Sequence, residues 1–298
     1  MKFLSINRFN AAILALVFAA FLYSCQKEKS QGNTANSVTA EEAVQYTDES
    51  TEADASFDDV SDVALSAADE ESSAREAGTS GRISLFAELR LRIGDCANIT
   101  VTPDDSTYPK TVIIDFGDGC NGRDGKFRKG AMILNFTGPI RVSGSVVTLT
   151  FRDFYLNRGH IEGKITFKNQ NENGLHKYTV TVENGAFTLP SGRGFQYTGI
   201  KVVTQIAGMD TRLIRDDVYK IEGRSRTDYN GGKSVVLNTV DPLIKKVNCH
   251  WISEGTLKIV INDRVLKLDY GFPNNGDCDN KALLLWNNGL DQKVITLP

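Results

Sequence analysis

Two observations predict an all-β protein built on one large antiparallel β-sheet domain. From about residue 98, apolar and polar residues alternate with period two, and turn-forming residues recur between the alternating runs. Ile161, Gly163, Ile165 and Phe167 fall on one face of a strand, with Glu162, Lys164, Thr166 and Lys168 on the other. Tyr219, Ile221, Gly223, Ser225 and Thr227 alternate likewise with Lys220, Glu222, Arg224 and Arg226, and Tyr178, Val180 and Val182 with Lys177, Thr179 and Thr181. Asn184-Gly185, Asn230-Gly231-Gly232 and Asn287-Asn288-Gly289 supply the sharp turns. The runs amount to about ten to twelve strands, and adjacent hairpins with one apolar face fold into a sandwich or an incompletely closed barrel. Beyond the N-terminal leader no long helix is expected; residues 82 to 92 read as a short helix or an entry strand. A transmembrane barrel would need a continuous outward apolar band. Lys, Arg and Glu on the polar faces, and Gly and Ser within the apolar ones, argue against it.

The leader carries Lys2 and Arg8, then twelve wholly apolar residues from 11 to 22. That run is too short to span a bilayer and reads as a signal peptide over residues 1–24. Leu22-Tyr23-Ser24-Cys25 resembles the lipobox of bacterial lipoproteins, with an aliphatic residue at −3 and a small one at −1; Tyr23 departs from the usual small residue at −2. The resemblance implies diacylglycerol on the Cys25 sulfur, cleavage before it, and an acyl chain such as palmitate on the new amine. Each buried methylene contributes about 0.8 kcal/mol, so two or three chains hold a protein where one does not. Gln26-Lys27-Glu28-Lys29 is similar to the export signal of Bacteroidota surface lipoproteins, with Lys29 in place of a second acid. It implies an outer-membrane address, with the cell surface favoured over the periplasmic face.

Residues 31 to 80 hold thirteen acids and one base, Arg75, with Tyr46 and Phe57 as the only aromatics. So little apolar surface predicts a disordered acidic tether over 25–80. The β domain, 81–298, then carries twenty-nine bases and twenty-three acids, a net +6. That charge is too dilute over its length to argue for nucleic acid as a partner.

Apart from Cys25, four cysteines remain: Cys96, Cys120, Cys249 and Cys278. Near the start the chain reads VIIDFG, a turn with Cys120, then KGAMILNFTG; near the end it reads LKLDYG, a turn with Cys278, then KALLLWNNG. Each block has another cysteine upstream. Residues 96–138 and 249–289 thus form a pseudo-repeat. Of the three possible connectivities, the repeat selects Cys96–Cys120 and Cys249–Cys278, and an exported location favours oxidation. The PKTVIIDFGDGC block, DDVYKIEG from Asp216 to Gly223 and the terminal block from Leu268 to Asn280 together resemble uncharacterised lipoproteins of the Bacteroidota over about residues 95 to 298. The resemblance implies no activity.

Three further patterns bear on chemistry. Asp115, Asp118, Asn121 and Asp124 recur every three residues in a Gly-rich loop and are the candidate calcium ligands, against ordinary Asx turns around Cys120. No other cofactor is expected. No nucleophile-elbow, zincin or phosphate-loop motif occurs, so no catalytic residue is assigned. Asp153, Glu162, Glu183, Asp216, Asp217 and Glu222 could include a hydrolase carboxylate pair, but their spacing selects no two of them and exposed strand charges explain them more simply. Phe151, Phe154, Tyr155, Phe195, Tyr197, Tyr219 and Tyr229 could floor a glycan or lipid groove or form core. The expectation is a lipid-anchored envelope protein that binds a glycan, a lipid or another envelope protein, or, as the alternative, a glycan hydrolase.

Overall fold

The computed structural model describes residues 38–76, 86–171, 176–211, 214–262 and 264–297. The expected signal peptide, Cys25 and the first part of the expected tether lie outside these residues.

The chain is mostly β, and the fourteen strands among the described residues form one antiparallel sheet. The first third contains β1 (Asn98–Thr102), β2 (Lys110–Asp115), the short β3 (Cys120–Asn121), β4 (Phe127–Phe136) and β5 (Val146–Leu156). There follow β6 (Gly159–Asn169), β7 (Lys177–Thr188), β8 (Gly194–Ala207), β9 (Val218–Tyr229) and β10 (Ser234–Lys246). The sheet ends with β11 (Ile252–Ile261), β12 (Arg264–Asp269), β13 (Lys281–Trp286) and β14 (Asp291–Thr296). Each strand pairs with its sequence neighbour, except that β2 pairs with β4, which also carries β3. Among the described residues no ladder joins β1 to β14, so the sheet is open, and the sandwich alternative is set aside.

The largest departure from expectation lies before the sheet. Residues assigned to a disordered tether form a 37-residue helix, α1 (Ala40–Glu76), about 55 Å long at the standard rise. Neither Gly nor Pro interrupts it, and Thr39 caps it. The Thr39 backbone N–H donates to the Glu42 carboxylate at 2.9 Å, and the Glu42 N–H to Thr39 Oγ1 at 3.2 Å, a reciprocal capping box. Its middle is enclosed on nearly every side: Ala53, Val60, Val63, Ala64, Ala67 and Ala68 are fully buried. Alanines let the strands approach closely, and buried hydroxyls turn back onto the helix, Thr47 donating to Ala43 O and Ser61 to Phe57 O.

Charge complementarity explains why so polar a segment is ordered. Asp59 accepts from Arg92, Lys126 and Arg128, each at 2.8 Å. Asp54 and Asp58 share Lys201, Asp69 meets Arg141, Glu71 meets Lys110, Glu49 meets Arg193 and Glu42 meets Lys233. Glu70 accepts the backbone N–H groups of Glu88 and Leu89 at the start of the short α2 (Ala87–Ile93). The net positive charge of the domain is the counterpart of the acidic segment.

The sheet curls around α1 through glycine-marked bulges. Gly130 (φ 80°) sits where the β4–β5 register slips, and a Cβ there would lie 2.0 Å from Asp153 O. Gly223 (φ 155°) on β9 would place one 2.3 Å from Ile200 O. Such positions admit only glycine and bend the sheet.

Both disulfides form as the repeat selects, Cys96–Cys120 and Cys249–Cys278, with Cα separations of 5.7 and 5.6 Å. The two units follow one path. Each runs from a cysteine through two antiparallel strands into an Asp-aromatic-Gly turn, then past the second cysteine into an apolar strand. In both turns the Asp carboxylate accepts the N–H two residues on, Asp115 from Gly117 at 2.8 Å and Asp269 from Gly271 at 3.0 Å.

Candidate functional site

The two disulfide-stapled units, far apart in strand order, come together across the middle of α1. The turn after Cys120 supplies Asp124 and Lys126, and the β10–β11 turn supplies Val247, Asn248, Cys249 and His250. Between them lies a cavity of about 130 Å³, floored by Asp62, Leu65 and Ser66 of α1 and walled by Arg92 and Lys245. A second cavity, of about 80 Å³, adjoins it and shares Asp62, Lys126, Lys245 and His250. Its far wall is apolar: Ile221, Leu243, Trp251, Ile252, Tyr270 and Leu297. A third, of about 60 Å³, continues along α1 past Leu65 and Asp69 to Arg141, His176, Asp217 and Tyr219.

Electrostatics differ along this cleft. Burial raises Asp59, but Arg128, Arg92 and Lys126 outweigh it and hold the carboxyl well below its ordinary range. Burial pushes Asp58 up to about 6 against the pull of Lys201. Lys245 donates to Cys249 O and His250 O, both at 2.9 Å. Burial lowers the pKa of Lys245, and positive Arg92 and Lys126 add to the effect. His250 is lowered by burial and by Lys126 and Lys245. Asp62 makes no hydrogen bond or ion pair among the described residues; Arg92 and Lys245 feel its charge through space.

The residues singled out as calcium ligands do not converge. Asp115 pairs with Arg152 at 2.7 Å, Asp124 with Arg128 at 2.8 Å, and Asp118 and Asn121 are exposed. Among the described residues no three His, Cys, Asp or Glu side chains gather where a metal ion could sit. Of the acids weighed for hydrolysis, Glu162 and Glu222 lie beside His160 and Lys220 on their own strands, Glu183 of β7 pairs across to Lys164 of β6, and Asp216 accepts from Thr211. Asp153 adopts a left-handed φ of 45° opposite Gly130. Asp217 alone of that group lines the cleft, accepting from Tyr219 at 3.0 Å and Gln205 at 2.8 Å. Most of the aromatics are core: Phe154, Phe195, Tyr197 and Tyr229 are buried, and Tyr219 lines the cleft.

Sequence reasoning missed Asp62, Lys245 and the α1 wall. The signal was present in Thr39-x-x-Glu42 and in the opposite charges of the two segments, but the pairings that order the helix span long stretches of chain. Comparison of the chain with protein-family models, curated proteins and solved structures finds no match.

Proposed function

We propose that this chain is a lipid-anchored protein of the outer membrane, of the Bacteroidota lipoprotein kind, that binds a ligand in the cleft along α1. The observation that supports this reading is the meeting of two disulfide-stapled turns at one cavity with a polar half and an apolar half. Ligand sites combine apolar walls with a few convergent polar groups in this way. Cys25 is the anchor, and the cell surface is its place of display. Radiolabelled palmitate tests the anchor: incorporation that survives Cys25→Ala removes it. For binding, the full chain in detergent is melted with and without the dialysable fraction of cell extract. A bound ligand raises the midpoint by mass action, and Asn248→Trp, which fills the cleft from its exposed rim, abolishes the rise. An unchanged midpoint, or an equal rise in the variant, contradicts the reading.

One observation favours the hydrolase alternative. Asp217, pushed up to about 6 chiefly by burial, lines the third cavity together with Asp69, whose charge raises it further. A raised acid beside a second carboxylate is the pairing glycoside hydrolysis uses. A glycan panel on which the full chain and Asp217→Asn release sugar at the same background rate removes this alternative.

A further inference from the structure

We infer that the cleft holds a small zwitterion, a free α-amino acid with an apolar or aromatic side chain, its ammonium on Asp62 and its carboxylate at Lys245 and His250. The inference deepens the reading of the cleft as a ligand site and rests on it. Three observations define the ligand.

Asp62 lines the first and second cavities of the cleft, is half-buried, and has no hydrogen-bonding base among the described residues. Its neighbours Asp58, Asp59 and Asp69 are each held by a Lys or Arg. A half-buried carboxylate without a hydrogen-bonding partner favours a nearby cation. Lys245, which lines the same two cavities, has its ammonium on two carbonyl oxygens and on no carboxylate. Arg92 and Lys126 beside it are already paired with Asp59, so Lys245, with the His250 imidazole next to it, is the base left to meet an anion. Beyond lies the apolar wall of Ile221, Leu243, Trp251, Tyr270 and Leu297.

Asp62 and Lys245 meet each other only through space, and a zwitterion gives each a direct partner where a ligand with one charge would serve only one of them. Size agrees. Cavities of about 130 and 80 Å³ joined through shared residues suit a molecule of amino-acid scale, given that a void of about 150 Å³ admits benzene. A glycan chain needs a longer groove.

The test uses the full chain in detergent carrying Trp286→Phe, which leaves Trp251 as the sole tryptophan. L-Phenylalanine, 3-phenylpropionate (no amine) and phenethylamine (no carboxylate) are titrated against Trp251 fluorescence, with calorimetry as the second readout. L-Phenylalanine should saturate, and each analogue should bind at least tenfold more weakly. Asp62→Asn should reduce the affinity for L-phenylalanine to that for 3-phenylpropionate, whose own weak binding stays unchanged. His250→Gln, at an exposed position, should weaken both acids alike. The inference is overturned if neither L-phenylalanine nor L-leucine saturates, if L-phenylalanine and 3-phenylpropionate titrate alike, or if Asp62→Asn changes nothing. A midpoint raised by cell extract alongside silent amino acids would leave the cleft reading standing and remove the zwitterion alone.

Discussion

Phe57 of α1 lies flat on Tyr197 of β8, ring centroids 4.2 Å apart and planes within 6° of parallel. The Tyr197 hydroxyl donates to Asp54 one turn back along the same helix, at 2.5 Å. One stacked pair and one buried hydrogen bond thereby fix the helix in register against the centre of the sheet. Phe57→Ala should cost about 3–5 kcal/mol, the usual range for emptying a buried aromatic site. Chemical denaturation measures it, and a loss under about 1 kcal/mol would mean that the ring is not packed in solution.

Asp59 ties three bases from two elements and a turn to α1. Removing one partner of a buried charge network leaves the others uncompensated, so Asp59→Ala should destabilise by about 3–5 kcal/mol. Asp48→Ala, at an exposed position on the same helix, should lie within about 0.5 kcal/mol of the parent. Equal effects from the two would show that Asp59 is not buried.

Stability should peak in mildly acidic solution. Asp58 and Asp217 are raised to about 6 and Glu70 to about 7, in each case chiefly by burial. For these groups the folded state binds protons more tightly than the unfolded chain. Their stabilisation is therefore complete below the ordinary carboxyl pKa of about 4 and lost as pH rises through 6 to 7. His250, lowered from 6.5, runs the other way, one imidazole against three carboxyls. Asp54 and Asp59 are depressed, and their contribution fades as pH falls below about 4. The melting midpoint should rise from pH 8 to pH 5 and fall again below pH 4. A steady decline from pH 8 downward would contradict these environments.

Each disulfide closes a loop with a sequence separation of 24 or 29, worth about 3 kcal/mol in the chain-entropy account. Cys249→Ala with Cys278→Ala should lower stability by about that amount while the far-ultraviolet signature of the sheet persists. Because Cys249 lines the cleft, this pair of changes should also weaken ligand binding more than Cys96→Ala with Cys120→Ala. Non-reducing peptide maps check the pairing first, and a Cys96–Cys249 link would contradict it.

The strands were legible because alternation in segments such as Ile161–Lys168 is a local property of half-buried sheet. The disulfide units were legible because Asp115-Phe116-Gly117 and Asp269-Tyr270-Gly271 repeat one turn chemistry. α1 was not, since its burial depends on partners distant in sequence: Asp59 meets Arg128, Asp54 meets Lys201, Glu42 meets Lys233. A segment rich in Ala, Ser and Asp passes for a solvated tether until those bases are placed around it. The cleft was hidden for a related reason. Asp124 and Cys249 each stood out in the sequence, but only the curl of the sheet, set by bulges such as those at Gly130 and Gly223, brings their turns together.

The central claim is that α1 is an integral part of this fold, enclosed by the open sheet. Amide hydrogen exchange over residues 50–68 of the full chain tests it most directly. An enclosed helix exchanges only through global or near-global unfolding, so these amides should be protected as strongly as those of β7 to β9. Exchange within seconds at neutral pH, with the sheet still protected, would return the segment to a solvated tether and dissolve the cleft with it.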